Sequence, residues 1–178
     1  MERRDHHAVV ADERGQLDHA DDARQIARPP ATRIRPRGYH GLRMDLASVL
    51  KVGRKGSAAL TVAPEHTAPH VGSGRVPVLA TPVVINLLEA AALAAVEHLL
   101  PEGHQSLGVQ LDVRHFAATP VGMRVEAEAE LLAVDGRMLT FRVSASDERE
   151  PISEGTHERV VVNVARFDRR MEAKARGA

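Results

Sequence analysis

The chain reads as α+β, an antiparallel sheet wrapped around one long central helix, and three features predict it. Residues 81–100 open with Thr81-Pro82 and run almost wholly apolar until Pro101 and Gly103 stop them. In residues 124–134, Val125, Ala127, Ala129, Leu131 and Ala133 alternate with Glu126, Glu128 and Glu130, the pattern of a strand with one covered and one wet face. Asp135-Gly136 then joins that run to a second alternating one, a strong two-residue hairpin signal.

The elements follow in order. Residues 1–43 hold scattered apolar side chains without period, and between Ala23 and Arg43 every charge is an arginine, interrupted by Pro29-Pro30 and Pro36. Too little apolar surface is present to offset the entropy of ordering, which predicts a disordered N-terminal extension. The ordered domain is expected over 44–178. A short strand is expected at 57–63, and a loop at 64–80 rich in proline and glycine. Thr81 suits an N-cap and Pro82 the first helical position, whose N–H would be unpaired in any case. The helix should run to about Leu100, apolar on nearly every face and so covered on most sides. Strands are expected at 106–117, 124–134 and around Leu139, Phe141, Val143 and Ala145, with a long last strand at 152–167. After the helix these four strands would form a meander. Residues 168–176 are charged and predict a short frayed helix or tail.

Composition removes several classes of function. The 178 residues carry a formal net charge of zero, so no global field favours nucleic acid or an anionic membrane. Tyr39, Phe116, Phe141 and Phe167 are the only aromatic side chains, too few for a base-stacking platform. With no cysteine, disulfides, thiolate metal sites and a cysteine nucleophile are excluded. No apolar signal segment stands at the N-terminus. Asn86, Glu89, Glu97 and His98 interrupt the most apolar run, which predicts a core helix and not a membrane span. A cytoplasmic protein with neither nucleic-acid nor membrane partners is expected. His66 and His70 stand four apart, but Pro64 and Pro69 exclude the helix a zinc pair would need, so no metal site is expected. No nucleotide-binding glycine loop and no nucleophile elbow is present.

What remains is a hydroxyl, a carboxylate and an imidazole in greasy surroundings, the parts of an acyl-transfer site. Glu89 sits among Leu87, Leu88, Ala90 and Ala91, where a buried carboxylate needs a partner; a wet helix stripe or a structural arginine pair would also account for it. Thr81 is equally well explained as a cap. His115 closes a strand, where a structural histidine is as natural as a catalyst. Gly108 marks a close backbone approach or leaves room for a small group. His157 and Arg159 share one face of the last strand, either as a solvated edge or as a cation for substrate.

The order and spacing of VLATP (78–82), LLEAA (87–91), SLGVQLDVRHFAATPVG (106–122), AVDGR (133–137) and GTHERVVV (155–162) resemble the fluoroacetyl-CoA thioesterase-like family of hotdog proteins, from about Val49 to Lys174. That resemblance implies hydrolysis of a small acyl-CoA thioester without a metal or redox cofactor, coenzyme A entering as part of the substrate. By the same resemblance Thr81, Glu89 and His115 would be catalytic, and Gly108 and Arg159 would lie beside the acyl group. The family's fluoroacetate-specific branch closes its pocket with an aromatic-rich stretch, whereas residues 67–76 here are shorter and aromatic-free. Two other readings stand beside the hydrolase. One is a non-catalytic acyl-CoA-binding module. The other is a hydratase, which Asp112 and His115 cannot serve because three residues along a strand they face opposite ways.

Thr81 and Glu89 lie eight residues apart, about 12 Å along a helix and roughly 80° around it. They cannot form one site through a single straight helix. With a free sheet edge as well, this predicts a homodimer, or a dimer of dimers, with the site at its seam. Residues 1–43 should contribute nothing to it. Starting the chain at Met44 is expected to leave melting temperature and activity nearly unchanged, as differential scanning fluorimetry and a turnover assay would read; a large loss of either would contradict a solvated arm.

Overall fold

A computed structural model of the protein describes residues 45–177; the disordered extension expected at 1–43, and Met44, lie outside the described residues. The elements are α1 (Leu46–Val49), β1 (Lys55–Thr61), α2 (Ala68–Val71), α3 (Thr81–Val96), β2 (His104–His115), β3 (Arg124–Asp135), β4 (Met138–Asp147), β5 (Pro151–Asn163) and α4 (Val164–Ala175). Single 3₁₀ turns cover Pro64–His66 and Glu97–Leu99.

All five strands pair antiparallel in the order β1-β3-β4-β5-β2. The four strands after the helix are therefore not a simple meander. Only β3, β4 and β5 follow one another across the sheet. The 16 residues of α3, about 24 Å long, carry the chain past the sheet face, and β2 enters at the far edge beside β5. Its register runs from His104 opposite Asn163 to His115 opposite Ser153. Strand β3 then fills the place next to β1. The two edges are β1 and the twelve-residue β2.

The core lies between α3 and the sheet. Val84, Leu88, Ala91, Ala92, Ala95 and Val96 of the helix are buried with Val125, Ala127, Ala129 and Leu131 of β3, and with Leu139, Phe141 and Val143 of β4. By length and composition Thr81–Leu99 would suit a membrane crossing, but its buried residues pack into this core. The helix is not wrapped on every side: Thr81, Pro82, Asn86 and Ala94 are exposed. The uncovered stripe runs along the same side of the sequence as Glu89.

Alanines on the inner face let the helix approach β1 closely, and Gly56 is where they meet. A Cβ at Gly56 would collide with the Ala91 carbonyl and the Ala95 amide, both backbone. Expected alternation holds along β3 until Leu131. The register then shifts between Leu131 and Ala133, so Ala133 is exposed and not inward, while Val134 packs on the core.

The helix start also differs from expectation. Ala80 is the N-cap and Thr81 the first helical residue, with no side-chain cap. Backbone pairing holds this corner instead. Ala80 N–H donates to the His66 carbonyl and Leu79 N–H to Thr119, and isolated bridges join Thr67 to Leu79 and Val78 to Pro120. The segment expected as loop thus contains a 3₁₀ turn and α2, and it fixes where α3 begins. At the other end β5 stops at Asn163, earlier than expected, because the Asn163 side chain accepts the Arg166 N–H and starts α4.

Gly56→Ala is expected to lower stability by about 2 kcal/mol, the scale of overpacking against backbone that cannot rotate away. The midpoint of urea denaturation measures it, and an unchanged midpoint would contradict the close approach.

Candidate active site

Two clusters of polar side chains gather where α3 faces β2 and β5. The first sits at the helix start. Because Thr81 does not cap, its hydroxyl is free to reach β2, where Oγ1 lies 2.9 Å from His115 Nδ1. His115 Nε2 is buried without a hydrogen-bond partner, a costly state for an imidazole nitrogen unless a bound group meets it. Burial holds the His115 pKa below that of a free imidazole, opposed in part by the Ala117 carbonyl. The ring is therefore neutral near pH 7.

The second cluster surrounds Glu89, two helical turns on. Its carboxylate lies over Gly108, where a Cβ would strike Glu89 Oε1 and stand 3.1 Å from His157 Cε1. The register shifts between Gly108 and Gln110, bending β2 locally where it meets Glu89. Arg159 Nη1 donates to Glu89 Oε1 at 3.4 Å. The Glu89 side chain is 35% exposed against 5% for that of Arg159, so it is half-buried, not enclosed as its sequence neighbours suggested.

His157 lies beneath this pair, wholly buried against Phe141. Its Nδ1 is 3.0 Å from the Gln110 carbonyl, which can only accept, so Nδ1 carries the hydrogen. Nε2 then accepts from Arg159 Nη1 at 3.1 Å. Burial lowers its pKa most, with the Arg159 charge adding to this and the Gln110 carbonyl and Glu89 opposing it. His157 Nε2 is 3.6 Å from Glu89 Oε1, but a neutral ring with its lone pair turned to Arg159 makes no ion pair there. Burial also lowers the Arg159 pKa, countered by Glu89 and Glu97; a guanidinium nevertheless stays charged.

All five residues singled out from the sequence, Thr81, Glu89, Gly108, His115 and Arg159, line the α3–β2–β5 seam, but within this chain they do not form one group. Thr81 pairs with His115, and Glu89 with Gly108 and Arg159. The pairs are separated by eight residues of helix, about 12 Å, and by seven residues of strand. Sequence reasoning did not single out Ser106 or Glu97. Ser106 accepts from Arg159 Nε and Nη2 and donates to Glu97. Strand period was the available signal, since Ser106 and Gly108 share a face. Thr156 and Glu158 alternate away from the buried face that holds His157 and Arg159. Among the described residues no group of three or more His, Asp or Glu side chains is placed as metal ligands would be.

Residues 62–165, which contain every residue of both clusters, match the family model for fluoroacetyl-CoA-specific thioesterase. This chain belongs to that family. The fluoroacetyl-CoA-specific thioesterase family is the one that the motifs at 78–162 resemble. The fluoroacetyl-CoA thioesterase of Streptantibioticus cattleyicolor is 42% identical over 97 residues, which span 54% of this chain and 70% of that protein. A crystal structure of a fluoroacetyl-CoA-specific thioesterase in complex with fluoroacetate and CoA is 37% identical with a TM-score of 0.63, covering 66% of this chain and 98% of that one. A hot-dog-like protein from Thermanaerovibrio acidaminovorans superposes with a TM-score of 0.68 at 25% identity, covering 74% and 97%. The fold is the hotdog that the resemblance implied, and the chain is a thioester hydrolase of this family.

The two histidines give stability a pH dependence with a defined sign. Both have folded pKa values below the ordinary imidazole value of 6.5, so below that pH the unfolded chain binds more protons than the folded one. Their contribution is complete above pH 6.5 and is lost as pH falls through the folded values. The urea midpoint is expected to fall between pH 7 and pH 5, and a midpoint that rises over that range would contradict buried neutral rings.

Proposed function

We propose that the protein hydrolyses a small acyl-CoA thioester to the free acid and CoA at a composite site, one half from each protomer of a homodimer. The observation that carries this reading is the separation of the two clusters. Thr81 with His115, and Glu89 with Arg159, are each built to act on a thioester, yet one protomer holds them too far apart to meet one carbonyl. A twofold partner would bring the Thr81 cluster of one chain to the Glu89 cluster of the other. The uncovered stripe of α3 and the long free edge of β2 are the surfaces such a partner would cover. Val109 on that edge is 54% exposed.

The chemistry follows from the groups. Glu89 is held at one oxygen by Arg159, which leaves the other to attack the thioester carbonyl carbon or to take a proton from an attacking water. Either route adds oxygen to the carbonyl carbon, breaks the C–S bond and releases CoA as the thiol, with water supplying the acid's second oxygen. Negative charge grows on the carbonyl oxygen as the bond forms. At the helix start Pro82 has no N–H, and Val83 and Val84 donate to the Ala80 carbonyl. The Thr81 hydroxyl and N–H are the donors that remain for that oxygen. His115 orients the hydroxyl by donating Nδ1–H to Oγ1, which turns the hydroxyl hydrogen to that oxygen, and the lone pair on Nε2 can take up a proton and pass it to the leaving sulfur. Gly108 supplies the space for the acyl group beside Glu89. With no aromatic side chain in residues 67–76, the reading is a small acyl group without selection for fluorine.

A thiol-release assay over acetyl-, propionyl- and butyryl-CoA tests the reaction. Glu89→Gln is expected to lower turnover at least about 100-fold, the scale of a lost base; near-normal turnover would sink its role. Saturable binding with no thiol released by the unaltered protein would favour a carrier module instead. Mixing inactive Thr81→Ala and Glu89→Gln chains in equal amounts tests the composite site. Half of the dimers would be mixed, each with one intact site, so about a quarter of normal activity should return. No recovery would put both residues of a site on one chain.

A further inference from the structure

We infer that Ser106 and Glu97 are positioning residues that hold the Arg159 guanidinium side-on to Glu89, so that Glu89 keeps one oxygen free to react. The inference deepens the reading of this site as a thioesterase centre. It starts from how four of the five N–H donors of one buried guanidinium are assigned. Arg159 Nε donates to Ser106 Oγ at 2.9 Å, and Nη2 to the Ser106 carbonyl at 2.9 Å. Nη1 divides its two hydrogens between Glu89 Oε1 at 3.4 Å and His157 Nε2 at 3.1 Å.

The edge of an arginine that grips a carboxylate at two points is the Nε–Nη2 edge or the Nη1–Nη2 edge. Here Ser106 occupies the Nε–Nη2 edge, and only Nη1, shared with His157, reaches Glu89, which therefore has a single long contact. A two-point fork would fix both carboxylate oxygens in strong charge-assisted bonds, and a carboxylate held so is a poor base or nucleophile. The contact that Glu89 does receive aims it without tying up its second oxygen.

Ser106 holds this edge because its hydroxyl is itself fixed. The Oγ–H donates to Glu97 Oε2 at 2.6 Å, and the Ser106 N–H donates to Glu97 Oε1 at 3.0 Å. With its hydrogen committed to Glu97, the Ser106 oxygen turns a lone pair to Arg159 Nε. Glu97 thus supplies a second negative charge near the guanidinium through the serine, and Arg159 is not left to seek all its compensation from Glu89. Strand β5 presents Arg159 and His157 to Glu89, while β2 presents Gly108. Since His157 is neutral, Arg159 is the cation in this set, and its orientation decides how Glu89 is held.

The variants Ser106→Ala, Ser106→Thr and Glu97→Gln test the assignment in the full-length protein with acetyl-CoA as substrate. Ser106→Ala is expected to lower kcat about tenfold with KM within about twofold, the pattern of a misplaced reacting group, and Ser106→Thr, which keeps the hydroxyl, should recover most of it. Unchanged kcat in Ser106→Ala, a loss confined to KM, or equal losses in the alanine and threonine variants would overturn it. Should Ser106→Ala fail to fold, Glu97→Gln carries the test, with kcat down about threefold at unchanged KM; normal kcat would overturn the clamp. A second readout needs no substrate. The Arg159 Nε–H, followed by nitrogen-15 NMR, should exchange slowly in the unaltered protein and rapidly in Ser106→Ala, and equal rates would overturn the assignment. If the unaltered protein releases no thiol, the thioesterase reading fails on its own, while this exchange measurement still decides the clamp.

Discussion

Close packing of one apolar helix on a twisted antiparallel sheet is the constraint from which the rest of this structure follows. Alanines at 91, 92 and 95 and the bare backbone of Gly56 bring α3 down onto β1 and β3. That contact sets the helix axis, and the axis in turn sets which residues look toward β2 and β5. Glu89 projects toward β2 and β5 from the side of the helix away from Gly56, while Thr81 reaches β2 from the helix end. The residues of the two clusters are thus positioned by core residues outside them, and a methyl group at Gly56 would disturb both.

The seam is a low-dielectric setting with few charges, and each is accounted for. Arg159 is nearly enclosed, a state that costs free energy unless its donors are met. Four of the five are met, by two oxygens of Ser106, one of Glu89 and one nitrogen of His157. Neutral His157 accepts from a cation without adding charge. The two carboxylates stand on either side of the guanidinium, one in contact and one through a serine, and the more exposed Glu89 faces the open side. Such an arrangement is fixed by the protein's own groups, the kind of preorganisation that electrostatic catalysis uses.

Much of this was legible in the sequence, and the failures have physical causes. The central helix, the β3–β4 hairpin at Asp135-Gly136 and the inward set of β4 were readable because hydrophobic period and turn chemistry are local. Strand order was not, because pairing of β2 with β5 depends on where a helix delivers the chain and leaves no mark in either strand. The inward position of Ala133 was misread because a register shift after Leu131 changes the face of every later residue. Thr81 was readable as a cap, since the residue type suits one, yet the backbone bonds that fix the corner release its hydroxyl for His115. The five candidate residues were singled out through family motifs. Ser106 and Glu97 escaped because a serine in a strand and a glutamate at a helix end are ordinary until an arginine from another element is seen between them.

Gly108 has one more consequence, and it concerns change over time. A Cβ at this position would overlap Glu89 Oε1 and stand 3.1 Å from His157 Cε1, so any larger residue here would push the Glu89 carboxylate from its place beside Arg159. A lineage that keeps Glu89 in place keeps this glycine with it. The segment from Pro64 to Ala80 is less constrained. It is tied down at Thr67, Val78 and Leu79, while Gly72 and Gly74 lie in exposed backbone between those ties. What a neighbouring carboxylate fixes at Gly108 is left open at Gly72 and Gly74, which face solvent.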